Sequence, residues 1–81
     1  LMMGMQITNT KLVHRAVRIV SAAAGVSADD AAALLEASGN DIKTAVVMGK
    51  LQVDAAAARQ LLDRAEGYVR KAIALGRNTM D

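Results

Sequence analysis

Cysteine and proline are both missing from these 81 residues, and Tyr68 is the only aromatic side chain. Without cysteine there is no disulfide framework and no thiolate metal cluster, and nothing argues for an oxidising compartment, so the expected location is the cytoplasm. No apolar run approaches the roughly 20 residues that span a bilayer, and the start lacks the charged region and long apolar stretch of a signal peptide. No membrane is expected. Acidic residues are absent before Asp29, which leaves residues 1–28 locally basic, yet the net charge of +2 is too small to point to nucleic acid. What is present is alanine with Leu, Val, Ile and Met, 53% hydrophobic in all, a mixture that favours helices over strands. At this length the chain fits one small domain with a modest core, to which a partner or parent domain would add stability. It opens on Leu1 without a helix-start signal, and a piece of a longer protein is the expectation.

The apolar residues Leu12, Ala16, Ile19, Val20 and Ala23 recur at helical spacing from Lys11 to Ala24, with Lys11, His14, Arg15 and Arg18 on the opposite stripe. This predicts a first amphipathic helix capped by Asn9 or Thr10 and ended by Gly25. Ser27-Ala28-Asp29-Asp30 resembles a capping box with Asp in place of the usual Glu or Gln, and opens a helix to about Ser38 with Leu34 and Leu35 on its core side. Gly39-Asn40-Asp41 breaks it and caps a third helix built on Ile42, Ala45, Val46 and Leu51, whose end Gly49 weakens. Asp54 caps a fourth through Leu61 and Leu62, and Glu66-Gly67 precedes a fifth carrying Val69, Ala72, Ile73 and Leu75. From Gly76 the tail is expected to fray.

Residues 26–46 lie on 53–73 without a gap, matching Val26 with Val53, Ala31 with Ala58, Leu34-Leu35 with Leu61-Leu62 and Ala45 with Ala72. The pairs Ser27 with Asp54 and Ile42 with Val69 keep the caps and the apolar phase as well. The expected fold is all-α: a bundle of about five helices, two related hairpins after a first amphipathic helix.

The stretch Gly25-Val26-Ser27, Ala33-Leu34-Leu35, Gly39-Asn40-Asp41-Ile42 and Ala45-Val46 resembles the three-helix ubiquitin-associated (UBA) pattern. A more specific resemblance covers nearly the whole chain. Leu1-Met2-Met3, Thr8-Asn9-Thr10-Lys11-Leu12, Arg15-Ala16-Val17-Arg18-Ile19-Val20 and the Gly-Val-Ser to Leu-Leu-Glu block look like the C-terminal segment of the N-acetylmuramic acid 6-phosphate etherases and the related glucokinase regulatory proteins. That resemblance implies a connecting segment over residues 1–10, a UBA-like helical lid over 11–75 and a frayed tail over 76–81. It implies a sugar-isomerase (SIS) α/β domain as partner, where glutamates serve proton transfer over a phosphosugar, and it allows a homodimer. None of the SIS domain is present, so the chain alone is expected to be non-catalytic, with no cofactor. The family commonly has an acidic residue shortly after its Leu-Met pair, where this chain has Gly4, and no role is carried onto that position.

Asn9, Lys11 and Leu12 keep the family's motif intact. The resemblance implies that Asn9 and Lys11 reach towards the sugar phosphate, with Arg15 one turn beyond; spacing alone reads Lys11, Arg15 and Arg18 as a solvated face. His14 reads as a surface residue rather than a base. Asp29, Asp30, Asp41, Asp54 and Asp63 fall mainly where caps need them, so no metal site is indicated. No Gly-rich phosphate loop follows a strand, and no Ser/His/Asp set is suggested. Met2, Met3, Met5 and Met48 are expected to pack on structure outside this chain. A free-standing UBA-like interaction module is the alternative, although Ala24-Gly25-Val26 lacks the large side chain of the usual ubiquitin-binding loop. The lid of a regulator that binds sugar phosphates without cleaving them is another.

Overall fold

The computed structural model describes the backbone of residues 10–80 and the side chains of residues 13–78. Over that range the chain forms five helices and no strand: α1 (Thr10–Ala24), α2 (Ala28–Ala37), α3 (Ile42–Leu51), α4 (Ala55–Arg64) and α5 (Val69–Met80). Asn9, the first-named cap of α1, and the methionines Met2, Met3 and Met5 lie outside the described residues.

The turn chemistry follows the sequence closely. Gly25 takes φ +71, and the N–H groups of Gly25 and Val26 both return to the Ser21 carbonyl at 3.0 and 3.1 Å, closing α1. Ser27 caps α2 by accepting from the Asp30 N–H at 3.1 Å, and Asp54 caps α4 by accepting from the Ala57 N–H at 2.8 Å. Asp41 sits at the N-cap of α3 but takes no backbone N–H there. Its Oδ2 instead accepts from the Thr44 hydroxyl at 2.7 Å. That pairing satisfies the hydroxyl of a fully buried residue, whose loss of water would otherwise go uncompensated. Ser38, also buried, ties the preceding turn by donating to Leu35 O and Asp41 O and accepting from the Asp41 N–H.

α3 is the shared element. It packs on all four other helices and buries Thr44 to Met48 and Leu51. One core cluster joins Val20, Ala24, Ala31, Leu35, Ala45 and Val46. The other joins Val47, Met48, Leu51, Ala58, Leu62, Ala65 and Ala72, and Leu34 and Val69 pack against both. Met48, expected to meet outside structure, is therefore a core residue. Ile19, expected on the buried stripe of α1, is 44% exposed, and Ala23 is exposed too. The helix meets its neighbours through Ala16, Val17, Val20 and Ala24, and Ile19 lies about 100° round the axis from Val20.

The internal repeat is real and longer than two hairpins. An offset of 27 residues carries α2 onto α4 and the start of α3 onto that of α5, and it also carries the end of α1 onto the end of α3. Three-helix units α1–α2–α3 and α3–α4–α5 thus overlap on α3. The left-handed turns correspond as well: Gly25 with Gln52, Gly39 with Glu66, and Asn40 with Gly67. So do the bonds that close them, Asn40 N–H to Leu35 O at 2.7 Å and Gly67 N–H to Leu62 O at 2.8 Å. Two long side chains then clamp the units together. Arg59 on α4 donates to Ser38 O at 3.0 Å, and Lys43 on α3 donates to Gly67 O at 3.1 Å.

Gly49 and Gly76 are repeat equivalents and explain why helices approach so closely. A Cβ on Gly49 would come within 2.9 Å of both Ala24 Cβ and Leu34 Cδ1. A Cβ on Gly76 would collide with Leu51 Cδ1 and lie 3.1 Å from Leu61 Cδ1, and Ala24 and Leu34 are the repeat partners of Leu51 and Leu61. Gly49 is therefore a packing position rather than a weak end. Gly76 is buried, within an α5 that runs on to Met80.

Replacing Gly49 with alanine should improve helix propensity by about 1 kcal/mol but overpack the contact at a cost of about 1–3 kcal/mol. Ala24 Cβ cannot rotate away, so Gly49→Ala is expected to lower Tm, with a net loss of about 1 kcal/mol in a denaturant titration. A variant as stable as the parent would show that α1 and α3 separate freely.

Candidate functional cation face on α1

α1, α3 and α5 carry cations and no carboxylates, the other two basic residues, Arg59 and Arg64, lying on α4. Lys11, Arg15 and Arg18 lie on α1, Lys43 and Lys50 on α3, and Arg70, Lys71 and Arg77 on α5, while these three helices contain no Asp or Glu. The carboxylates are confined to α2, α4, the turns and Asp81. Among the described residues no ion pair forms within 4.0 Å, so the cations of these helices whose side chains are described are not neutralised by described partners.

His14, Arg15, Arg18, Ile19 and Ala22 line one surface depression on α1. The repeat shows what this surface is. Moved by 27 positions, Arg15, Arg18, Ile19 and Ala22 fall on Ile42, Ala45, Val46 and Gly49, the face through which α3 packs on α1 and α2. On α1 the equivalent face has no helix over it among the described residues, and arginine replaces the apolar residue at two of its four positions. Arg15 and Arg18 are exposed one turn apart on the same stripe. Each guanidinium offers a planar fork of N–H donors suited to bidentate binding of a phosphate or carboxylate. Ala22, the counterpart of the close-approach Gly49, leaves room beside them.

Lys11 stands in the first turn of α1, three and four residues before His14 and Arg15; its side chain, like the whole of Asn9, lies outside the described residues. The structure thus places Arg15 on the uncovered face and adds Arg18 and Ile19 to it. Sequence reasoning missed those two as site residues. Extending the repeat back past Val26 would have found them, because it exposes the Ile42-to-Arg15 and Ala45-to-Arg18 exchanges.

The described residues include no group of three or more His, Asp or Glu that could hold a metal ion, and no helix among them is long and apolar enough to cross a membrane. The side chains around the depression offer cationic binding and no arranged nucleophile or acid–base pair.

Comparison with known proteins finds relatives along nearly the whole chain. Over 75 residues the chain is 43% identical to N-acetylmuramic acid 6-phosphate etherase 1 of Bacillus licheniformis, which covers 93% of the chain and 25% of that protein. It is 47% identical over 73 residues to the N-acetylmuramic acid 6-phosphate etherase of Enterobacter sp. (strain 638), covering 90% and 25%. The corresponding etherase of Photobacterium profundum is 43% identical over 77 residues, covering 95% and 26%. The chain spans about a quarter of the length of these curated relatives. No protein-family model matches it, and no solved structure matches it.

Because Arg15 and Arg18 are exposed among the described residues, Arg15→Ala and Arg18→Ala should each change the stability of this chain by no more than about 0.5 kcal/mol. Val20→Ala, two positions beyond Arg18 on the buried face, should cost about 2 kcal/mol. Equal losses on thermal unfolding would show that the arginines are held by packing after all.

Proposed function

Given that this chain belongs to the N-acetylmuramic acid 6-phosphate etherase family over a quarter of its relatives' length, we propose that it is the helical lid of such an enzyme and carries no catalytic apparatus of its own. The observation that carries this reading is the uncovered face of α1, where Arg15 and Arg18 stand at positions that α3 fills with Ile42 and Ala45. A phosphosugar presents a dianion, and cations brought down by a closing lid would neutralise it and tie closure to occupancy.

In this reading the parent cleaves the lactyl ether of N-acetylmuramic acid 6-phosphate to give N-acetylglucosamine 6-phosphate and lactate, in the cytoplasmic recycling of cell-wall amino sugars. The general acid and base would belong to an SIS-type α/β domain. Lys11 and Asn9, at the start of α1, would reach the phosphate with Arg15 behind them. Arg18 extends the same stripe. Lid closure would also exclude water from the reacting carbons.

Purified and free of contaminating enzyme, the 81-residue chain is expected to release no lactate from N-acetylmuramic acid 6-phosphate. In the full-length etherase, Lys11→Ala should lower kcat/KM by about 1.5–3 kcal/mol of transition-state stabilisation, the worth of a hydrogen bond to a charged group. Lys11→Arg should recover only part of it, because a planar fork and an ammonium differ in reach. Turnover by the isolated chain, or unchanged kcat/KM in Lys11→Ala and Arg15→Ala alike, would remove the lid reading.

A further inference from the structure

A second cationic surface lies away from the α1 stripe. Lys50 on α3 and Arg70 and Arg77 on α5 stand along a groove whose floor includes Val46, Val69 and Ile73. All three cations are exposed, whereas Val46 is buried and Val69 and Ile73 are half-buried. No ion pair engages these cations among the described residues, and no carboxylate lines the groove. The repeat strengthens the pattern, since Lys43 and Lys50 on α3 are the counterparts of Arg70 and Arg77 on α5. Both helices therefore carry cations seven residues apart, two turns and about 10 Å along the axis.

We propose that this α3/α5 groove docks an acidic amphipathic helix of a protein partner. Apolar side chains on one stripe of that helix would lie on Val46, Val69 and Ile73. Carboxylates flanking the stripe would meet Lys50 on one rim and Arg70 and Arg77 on the other. Charge complementarity selects this occupant: three cations on two rims, with no ion pair among the described residues, call for negative charge, and the apolar floor between them calls for an apolar stripe. A small phosphate is a poor fit, because it would leave the apolar floor of Val46, Val69 and Ile73 uncovered. A second copy related by a two-fold axis through this groove would set the same cations against each other. The proposal is independent of the α1 reading and concerns a macromolecular contact rather than substrate.

The test titrates the methyl-labelled 81-residue chain with a helical peptide bearing a leucine stripe flanked by glutamates, and with its counterpart bearing lysines instead. The glutamate peptide should give saturable shifts of the Val46, Val69 and Ile73 methyls, and the lysine peptide none. Arg70→Glu with Arg77→Glu should weaken binding by roughly tenfold or more, and Lys50→Glu should weaken it separately, with helical circular dichroism unchanged in both. Because all three side chains are exposed, loss of folding would not explain the result. Equal binding of both peptides, no binding of either, or shifts confined to α1 would overturn the proposal. So would uptake of anionic vesicles or a DNA oligonucleotide in place of the peptide, or sedimentation showing that copies of the chain fill the groove themselves. None of these outcomes touches the activity of Lys11 variants in a full-length etherase, so failure here leaves the lid reading standing.

Discussion

The fold depends on α3 being approached closely from both sides. At Gly49 a missing side chain lets Ala24 and Leu34 settle within what would be 2.9 Å of a Cβ. On the other side Gly76 does the same for Leu51 and Leu61. With so little aromatic bulk, the chain cannot fill wide gaps between helices. It closes the gaps instead, using glycine at two equivalent positions and alanine at Ala31, Ala45, Ala58 and Ala72, each fully buried. Each Leu or Val then completes a short contact rather than spanning a large one, which is how a small core reaches native packing density. Sharing α3 between two units adds to the effect, because one helix serves two cores and buries most of its circumference.

Much of this architecture was legible in the linear sequence. The ungapped match of residues 26–46 on 53–73 anticipated two units with common caps, and Ser27 and Asp54 make the same hydrogen bond three residues on. Caps are legible because they are local: a side chain and a backbone N–H within one turn. Gly49 was misread for the opposite reason. Helical glycine lowers local propensity, which suggested a weak end. Its value lies in contacts with Ala24, Leu34, Leu51 and Leu61, which no local window contains. Ile19 failed in a related way. Its phase placed it near the apolar stripe, but phase cannot say how far round a helix its neighbours extend, and α2 and α3 stop short of it.

The candidate site was partly legible. The basic stripe on α1 was visible from spacing, but spacing cannot separate a solvated face from a binding face. The second copy of the same geometry inside the chain adds that α3 keeps the equivalent face apolar and covered. Asp41 shows how the comparison works in reverse, since its counterpart Tyr68 has no carboxylate and needs none: Thr44, whose hydroxyl Asp41 accepts, becomes Lys71 in the second unit. Residues that differ between equivalent positions mark where the two units have different surroundings.

Applied to the helix ends of the array, that principle accounts for the charge distribution. In stacked helical units, interior faces can be apolar because a neighbour covers them, whereas the first and last faces must be compatible with water. Arginine at positions 15 and 18 meets that requirement, and so do Lys71 and Asn78 on the outer side of α5, where α3 has Thr44 and Leu51. Solubility alone would be served equally well by glutamate, or by alternating charge. Instead α1, α3 and α5 take only cations while α2 alone holds Asp29, Asp30 and Glu36. Segregation of this kind brings like charges together along helix faces and forgoes the small stabilisation of i,i+4 ion pairs. A fold with so little core to spare accepts that loss, and the substitutions that make these faces compatible with water also gather its cations into stripes along three helices.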